Sequence, residues 1–345
     1  MRTMRSLGTA GITSTRVTKT LSLSLVMALV MLAGTGCKKN EGAGSPGAAP
    51  AAPAGQYHFA FVTNNSTDFW NIGEKGLRKA ERDFGIKVEM FRPLKGEVAD
   101  QQRFLEDIMV QSFDGVAISP INPDAMTGIF ERVAAKMPLV TADSDAPKSP
   151  RKVYVGTNNV EAGHVAGNTA IAALKAANVT KGKVALFVGR IDMQNAIERK
   201  KGIDETLGKT PGIEILPVFL DHTDRALAKK NVEDALARYP DLVLIMGIWS
   251  YNGPCMADAV RASTRAAKPI LVVFDEEEET LKGVKDGLIT ATIVQKPFEF
   301  GYQSMKALKD IRDGKPVQAA VDTGILVVNK DNVDKFWTEL RELKK

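Results

Sequence analysis

Residues 57–85 read YHFAFVTNNSTDFWNIGEKGLRKAERDFG. An apolar run, Tyr57–Thr63, gives way to the polar stretch Thr63 to Asp68, and then to Ile72–Phe84, whose apolar residues recur at helical spacing. Gly85 follows directly, and glycine just past the last periodic residue is a helix stop. Strand, polar loop and helix in that order form the repeating unit of an α/β fold.

The same unit recurs along the chain. Apolar runs that predict strands are Tyr57–Thr63, Lys87–Phe91, Gly115–Ser119, Pro138–Ala142, Lys152–Gly156 and Lys183–Val188, then Glu214–Phe219, Leu242–Gly247, Pro269–Phe274, Thr290–Val294 and Gly324–Val328. Helical spacing lies between most of them, as in Ile72–Phe84, Val98–Gln111, Ala162–Ala177, Ala226–Ala237 and Phe298–Asp313, with stops at Gly85, Gly208 and Gly314. Short apolar strands alternating with helices predict parallel sheets covered on both faces. Ligands of such sheets bind beyond the carboxyl ends of the strands. Polar residues stand there: Thr63 to Asp68 after the first run, Asp143-Ser144-Asp145 after the fourth and Asp275 after Val272-Val273-Phe274. No GxGxxG, GxxxxGK[ST] or GxSxG sequence follows any strand, so dinucleotide, phosphate-loop and esterase chemistry lack their usual support.

The N-terminus differs from this body. Arg2, Arg5, Arg16 and Lys19 form a basic leader without acidic residues, Leu21 to Ala33 is apolar, and Gly34, Thr35 and Gly36 precede Cys37. That is the pattern of a secretory signal over residues 1–36, with an apolar run short for a membrane span. A cysteine at that position resembles the lipobox of bacterial lipoproteins, which implies lipidation of Cys37, although Gly34 stands where the pattern has Leu. Residues 38–55 are rich in Ala, Gly and Pro and hold no large apolar side chain, so 37–55 reads as an anchored tether. Residues 1–55 hold six of the chain's 46 Lys/Arg and one of its 41 Asp/Glu, which leaves the body neutral at 40 against 40. A neutral body offers no electrostatic footprint for nucleic acid. Cys255, alone in the body, reads as a packed small apolar residue. The three histidines are widely spaced and suggest no metal site, and no cofactor is expected.

Several strand-end and helix-start segments together resemble the periplasmic sugar-binding proteins of the ribose/galactose type. They are Asp68-Phe69-Trp70 with Gly76, Thr141 to Pro147, Tyr154 to Asn159 with Gly163, Asn195 to Arg199, Val273-Phe274-Asp275 and Ala291 to Pro297. The resemblance runs from about Tyr57 to the C-terminus. It implies the type I periplasmic binding protein fold: two Rossmann-like lobes with parallel sheets, joined by three hinge crossovers near 157–158, 295–296 and 324–325. One lobe would hold 56–157 plus 296–324, the other 158–295 plus 325–345.

A sugar presents apolar faces and a rim of hydroxyls that donate and accept, so its site needs rings for the faces and planar polar groups for the rim. Phe69 and Trp70 are the candidate rings of the first lobe, and Trp249 in the loop Trp249-Ser250-Tyr251-Asn252 that of the second, with Asn252 as a helix cap. The resemblance makes Asp143, Asn195, Arg199, Asp275 and Gln295 candidate polar contacts. Ser144 is placed where ribose-type members carry Arg, which leaves the exact sugar open. Asp221 to Asp224 reads as a surface loop, and Glu276 to Glu279 as a solvated helix start whose carboxylates suit the dipole.

The expected function is binding of a monosaccharide or related polyol and its delivery to an ABC-type importer, by a monomeric, non-catalytic, lipid-anchored protein of the cell envelope. The partners would be the sugar, an ABC permease and membrane lipid. Alternatives are a sensory protein presenting ligand to a receptor or kinase, and an enzyme using Asp143 and Asp275 as acid and base.

Overall fold

The computed structural model describes residues 56–344. The expected signal segment, Cys37 and the tether lie outside the described residues. In chain order the first elements are β1 (His58–Val62), α1 (Phe69–Phe84), β2 (Lys87–Phe91), α2 (Val98–Val110), β3 (Gly115–Ile118), α3 (Thr127–Ala134), β4 (Leu139–Ala142) and β5 (Val153–Gly156). Next come α4 (Asn159–Ala176), β6 (Gly182–Val188), α5 (Gln194–Thr206), β7 (Ile213–Ile215), β8 (Phe219–Leu220), α6 (Arg225–Arg238) and β9 (Leu242–Gly247). They are followed by α7 (Asn252–Ala262), β10 (Ile270–Phe274), α8 (Glu278–Lys285), β11 (Ala291–Val294), α9 (Pro297–Arg312), β12 (Ala320–Asp322), β13 (Leu326–Asn329) and α10 (Val333–Lys344).

These build two sheets. The first runs β12-β5-β4-β3-β1-β2 and the second β13-β11-β10-β9-β6-β7, with β8 also on β6. Counted from its own first strand, each core has the doubly wound order 2-1-3-4-5, and a late strand joins beside the fifth. Residue alternation explains why both faces are covered. On β1, Phe59 and Phe61 join one apolar cluster with Leu77 and Phe300, while Ala60 and Val62 join another with Leu105 and Phe130. On β10, Leu271 and Val273 face one cluster, Val272 and Phe274 the other. Successive side chains point to opposite faces, so an unbroken apolar run is what a strand buried on both sides requires.

Four expectations need correction. The predicted strand 214–219 is two strands, β7 and β8, because Pro217 between them has no N–H for the ladder. Gly208 sits within a 3-10 turn, Leu207–Lys209, and is not a left-handed helix stop, unlike Gly85 and Gly314, whose φ values are 63° and 71°. β12, which pairs with β5, was not anticipated from its short, half-exposed sequence. Finally, the sheets are not wholly parallel: β13 runs antiparallel to β11, with Leu326 opposite Val294. β12 leaves the first sheet at the carboxyl end, and Thr323 to Ile325 are too few to carry a crossover helix. The chain therefore enters the second sheet from its carboxyl end and must run against its neighbours.

Candidate functional site

At the carboxyl end of β1 the chain turns through Asn64, Asn65 and Thr67 into α1. Asn64 organises this corner. Its Nδ2 donates to Asp143 Oδ2 (3.1 Å), and its Oδ1 accepts from Trp70 Nε1 (2.9 Å) and Asn65 Nδ2 (2.8 Å). Asp143 follows β4 in a left-handed conformation, φ 60°. Its N–H donates to Val155 on β5 (3.0 Å), its carbonyl lies 2.9 Å from the Tyr154 hydroxyl, and its Oδ2 also accepts from Ser119 Oγ (2.8 Å).

The second half presents a matching corner. Asp275 follows β10 with φ 66°, donates its N–H to Ile293 on β11 (2.9 Å) and accepts from Thr292 Oγ1 on its carbonyl (2.6 Å). Gln295, just past β11, donates Nε2 to Asp275 Oδ1 (3.0 Å). Arg199 comes from α5, which can press against α4 only because Gly163 and Gly202 lack side chains: a Cβ on Gly163 would lie 2.2 Å from the Arg199 carbonyl oxygen. That contact seats the guanidinium, 1% exposed, with Nε donating to Asn159 Oδ1 (2.9 Å), Nη1 to the Ile248 carbonyl (2.7 Å) and Cζ 4.5 Å from the centroid of the Phe274 ring. The Trp249 loop is fixed from behind: the Trp249 N–H donates to Asn252 Oδ1 (3.1 Å), Asn252 Nδ2 to Asp221 Oδ2 (3.0 Å), and the Tyr251 hydroxyl to Asp221 Oδ1.

The two corners line a narrow, partly open cavity of about 30 Å³. Phe69 lines it from the first half, with Asn64, Asn65, Thr67 and Asp143; Asn195, Arg199, Trp249, Ser250, Tyr251, Asp275 and Gln295 line it from the other side. Contacts cross between the halves, with Asn195 Nδ2 3.5 Å from Asp143 Oδ2 and, outside the cavity lining, Asn122 Nδ2 donating to Asp192 Oδ2 (3.0 Å). Four buried polar atoms of lining residues have no partner within the protein: Arg199 Nη2, Trp249 Nε1, Asn195 Oδ1 and Gln295 Oε1. A buried polar group left unpaired costs about 1–3 kcal/mol, so such a set marks a place where a polar ligand completes the hydrogen bonding. Burial raises the Asp143 carboxyl above its usual value against the pull of Arg199, and pushes Asp275 up to about 6. Among the described residues no cluster of His, Cys, Asp or Glu is arranged to hold a metal ion.

The structure thus brings Phe69, Asp143, Asn195, Arg199, Trp249, Asp275 and Gln295 to one cavity. Trp70 is not among its walls: it is fully buried against Phe61 and Phe69, because the neighbouring position on α1 points inward. Ser144 is also outside the lining, because the left-handed turn at Asp143 leaves it fully buried beside the strand. Asp221 is a buried anchor rather than part of a surface loop, since Tyr251 and Asn252 close over it. Asn252 caps no helix; it is the first residue of α7 and braces Trp249 and Asp221. Within the acidic run, Glu276 is 4% exposed and raised well above its usual range by burial and by Asp275, and Glu277 pairs with Arg225 (2.8 Å), so neither is a solvated face. Cys255 is buried, and its thiol is pushed up to about 11. Asn64, Asn65, Thr67, Ser250 and Tyr251 were not singled out as contacts, although both their loops follow strand ends where ligands of such sheets bind.

Residues 59–316 match a family model described as periplasmic binding protein domain. The chain is 27% identical over 263 residues, 75% of its length and 83% of the relative's, to the ribose import binding protein of Bacillus subtilis. It is 26% identical over 261 residues, 73% and 83% of the two chains, to the D-allose-binding periplasmic protein of Escherichia coli. Among solved structures, an ABC transporter solute binding protein from Burkholderia graminis in complex with D-arabinose is 32% identical, with TM-score 0.76 over 81% of this chain and 97% of that one. An arabinose binding protein from Geobacillus stearothermophilus is 31% identical, with TM-score 0.68 over 82% and 99%.

Proposed function

We propose, from the premise that the chain belongs to the periplasmic binding protein domain family, that it binds a monosaccharide or related polyol between its two sheets and delivers it to an ABC-type importer. The observation that carries this reading is the cavity where the carboxyl ends of both sheets meet, with rings from each side and buried polar atoms unpartnered within the protein. Phe69 and Trp249 cover the apolar faces of the sugar. Asp143, Asp275, Asn195 and Gln295 accept from its hydroxyls, and Arg199 and the Trp249 indole donate to them. The two halves, 56–157 with 296–324 and 158–295 with 325–345, close about the three chain crossings, the hinge motion of this class.

Binding is the whole task of the cavity: the paired carboxylates orient hydroxyls and perform no chemistry. The chain is exported by residues 1–36, lipidated at Cys37, tethered by residues 38–55 and acts as a monomer beside its permease. Thermal unfolding with a panel of mono- and disaccharides tests the central claim. Ligand at one hundred times its dissociation constant adds about 2.7 kcal/mol. A panel without a single stabilising sugar refutes the reading. Recovery of chemically altered sugar after incubation would refute the non-catalytic part, and mass spectrometry of the membrane-extracted protein tests the lipid at Cys37.

A further inference from the structure

The cavity holds more hydrogen-bond acceptors than donors, and more negative charge than positive. Asp143 concentrates its protein hydrogen bonds on Oδ2, from Ser119 and Asn64, and Asp275 takes Gln295 on Oδ1. Each carboxylate therefore has an oxygen to offer a ligand. Asn195 Oδ1 and Gln295 Oε1 add two buried acceptors without partners, against two such donors, Arg199 Nη2 and Trp249 Nε1. Both carboxylates line the one cavity, and Asp143 pushes on Asp275, though less than Arg199 pulls on it. Arg199 pulls on both, but its Nε and Nη1 are committed to Asn159 and the Ile248 carbonyl, only Nη2 is left to the cavity, and it forms no ion pair with either among the described residues. Ser144, next to Asp143, is neutral and brings no second cation.

A hydroxyl answers an acceptor with one hydrogen and then needs a donor in return. An ammonium donates three and accepts none. In a water-poor cavity two like charges facing each other are relieved by a cation between them, and the effect is far larger than in bulk water. We infer that the preferred ligand is a polyol carrying an ammonium group, an amino sugar or an aminocyclitol, whose nitrogen meets Asp143 and Asp275. This rests on the sugar-binding reading above and narrows its ligand class.

The test is isothermal titration of the full chain with matched pairs at neutral pH: glucose with glucosamine, galactose with galactosamine, and inositol with an aminoinositol, each amine also as its N-acetyl form. The expected result is at least one pair in which the amine binds tenfold or more tighter than its hydroxyl parent, with N-acetylation, which removes the charge, erasing the gain. Asp275→Asn then brings the amine-to-hydroxyl ratio close to one. Parents that bind as tightly as their amines in every pair, or a ratio unmoved by Asp275→Asn, overturn this inference and leave the sugar-binding reading standing. If no member of any pair binds, this inference falls, and the sugar-binding reading is decided separately by the wider thermal-unfolding panel.

Discussion

Asp143 and Asp275 are counterparts: each follows the fourth strand of its sheet's 2-1-3-4-5 core, adopts a left-handed φ, donates its N–H to the fifth strand and has its carbonyl held by a side chain of that strand. The two halves thus aim one carboxylate each into the same cavity. Neither is comfortable there without a ligand, as the raised pKa of both shows.

That discomfort makes Asp275→Asn informative. Asn tolerates the left-handed conformation, and the substitution removes a carboxylate that burial destabilises in its ionised form. The ligand-free variant should unfold at higher temperature than the parent at pH 7, by up to about 3 kcal/mol for a shift from 3.8 to about 6. A carboxyl raised in the folded state carries no penalty below its unfolded value near 4. The penalty grows from there to about 6 and is full above it. The difference between variant and parent should therefore shrink as pH falls from 7 to 4. Arg199, Asp143, Gln295 and the buried Glu276, itself drawn on by Lys344, are the groups that set this window. Calorimetry at several pH values measures it, and titration should show that the stabilised variant holds its ligand more weakly than the parent.

Arg199→Lys keeps the charge but loses the planar fork. Lys cannot reach Asn159 and the Ile248 carbonyl together while stacking on Phe274 and donating onward. Affinity should fall on the order of 100-fold. A variant within a few fold of the parent would show that the guanidinium geometry is not used.

The tryptophans should separate stability from affinity. Trp249→Phe removes the indole N–H at the cavity and should weaken binding about tenfold with little change in unfolding temperature. Trp70→Phe removes the buried bond to Asn64 and should cost about 1–3 kcal/mol of stability with the smaller effect on affinity. Unfolding and titration of the two proteins side by side decide this.

Gly163→Ala places a methyl 2.2 Å from the Arg199 carbonyl oxygen, so α4 and α5 must part. It should destabilise by about 1–3 kcal/mol or more and lower affinity as well. Gly128→Ala, exposed on α3 with nothing within 4 Å of the added methyl, should instead stabilise by about 0.5–1 kcal/mol and leave binding intact.

The strand-end rule found most of the cavity in the sequence because it concerns local facts: an apolar run ends and a polar residue follows. Asp275 and Gln295 were legible in that way. What escaped depended on backbone direction or on partners far along the chain. Phe69 and Trp70 are adjacent on α1, and their spacing alone does not tell which meets solvent; Trp70 is settled by Asn64, six residues away across a loop. Ser144 turns on the φ of Asp143. Asp221 looked exposed among His222, Thr223 and Asp224 because its burial comes from Tyr251, thirty residues later. β12 has almost no apolar signal, since it is an edge strand held by its neighbour rather than by a face of the core.

The order of assembly follows from the late strands. α9 packs on the first sheet and β12 extends it, while β13 and α10 finish the second, so both sheets take their last pieces from the final fifty residues of the chain. A nascent polypeptide lacking that tail holds two unfinished halves with bare edges. Neither can settle into its mature form before residues 297–344 have been made, and their removal should cripple both halves at once instead of sparing one.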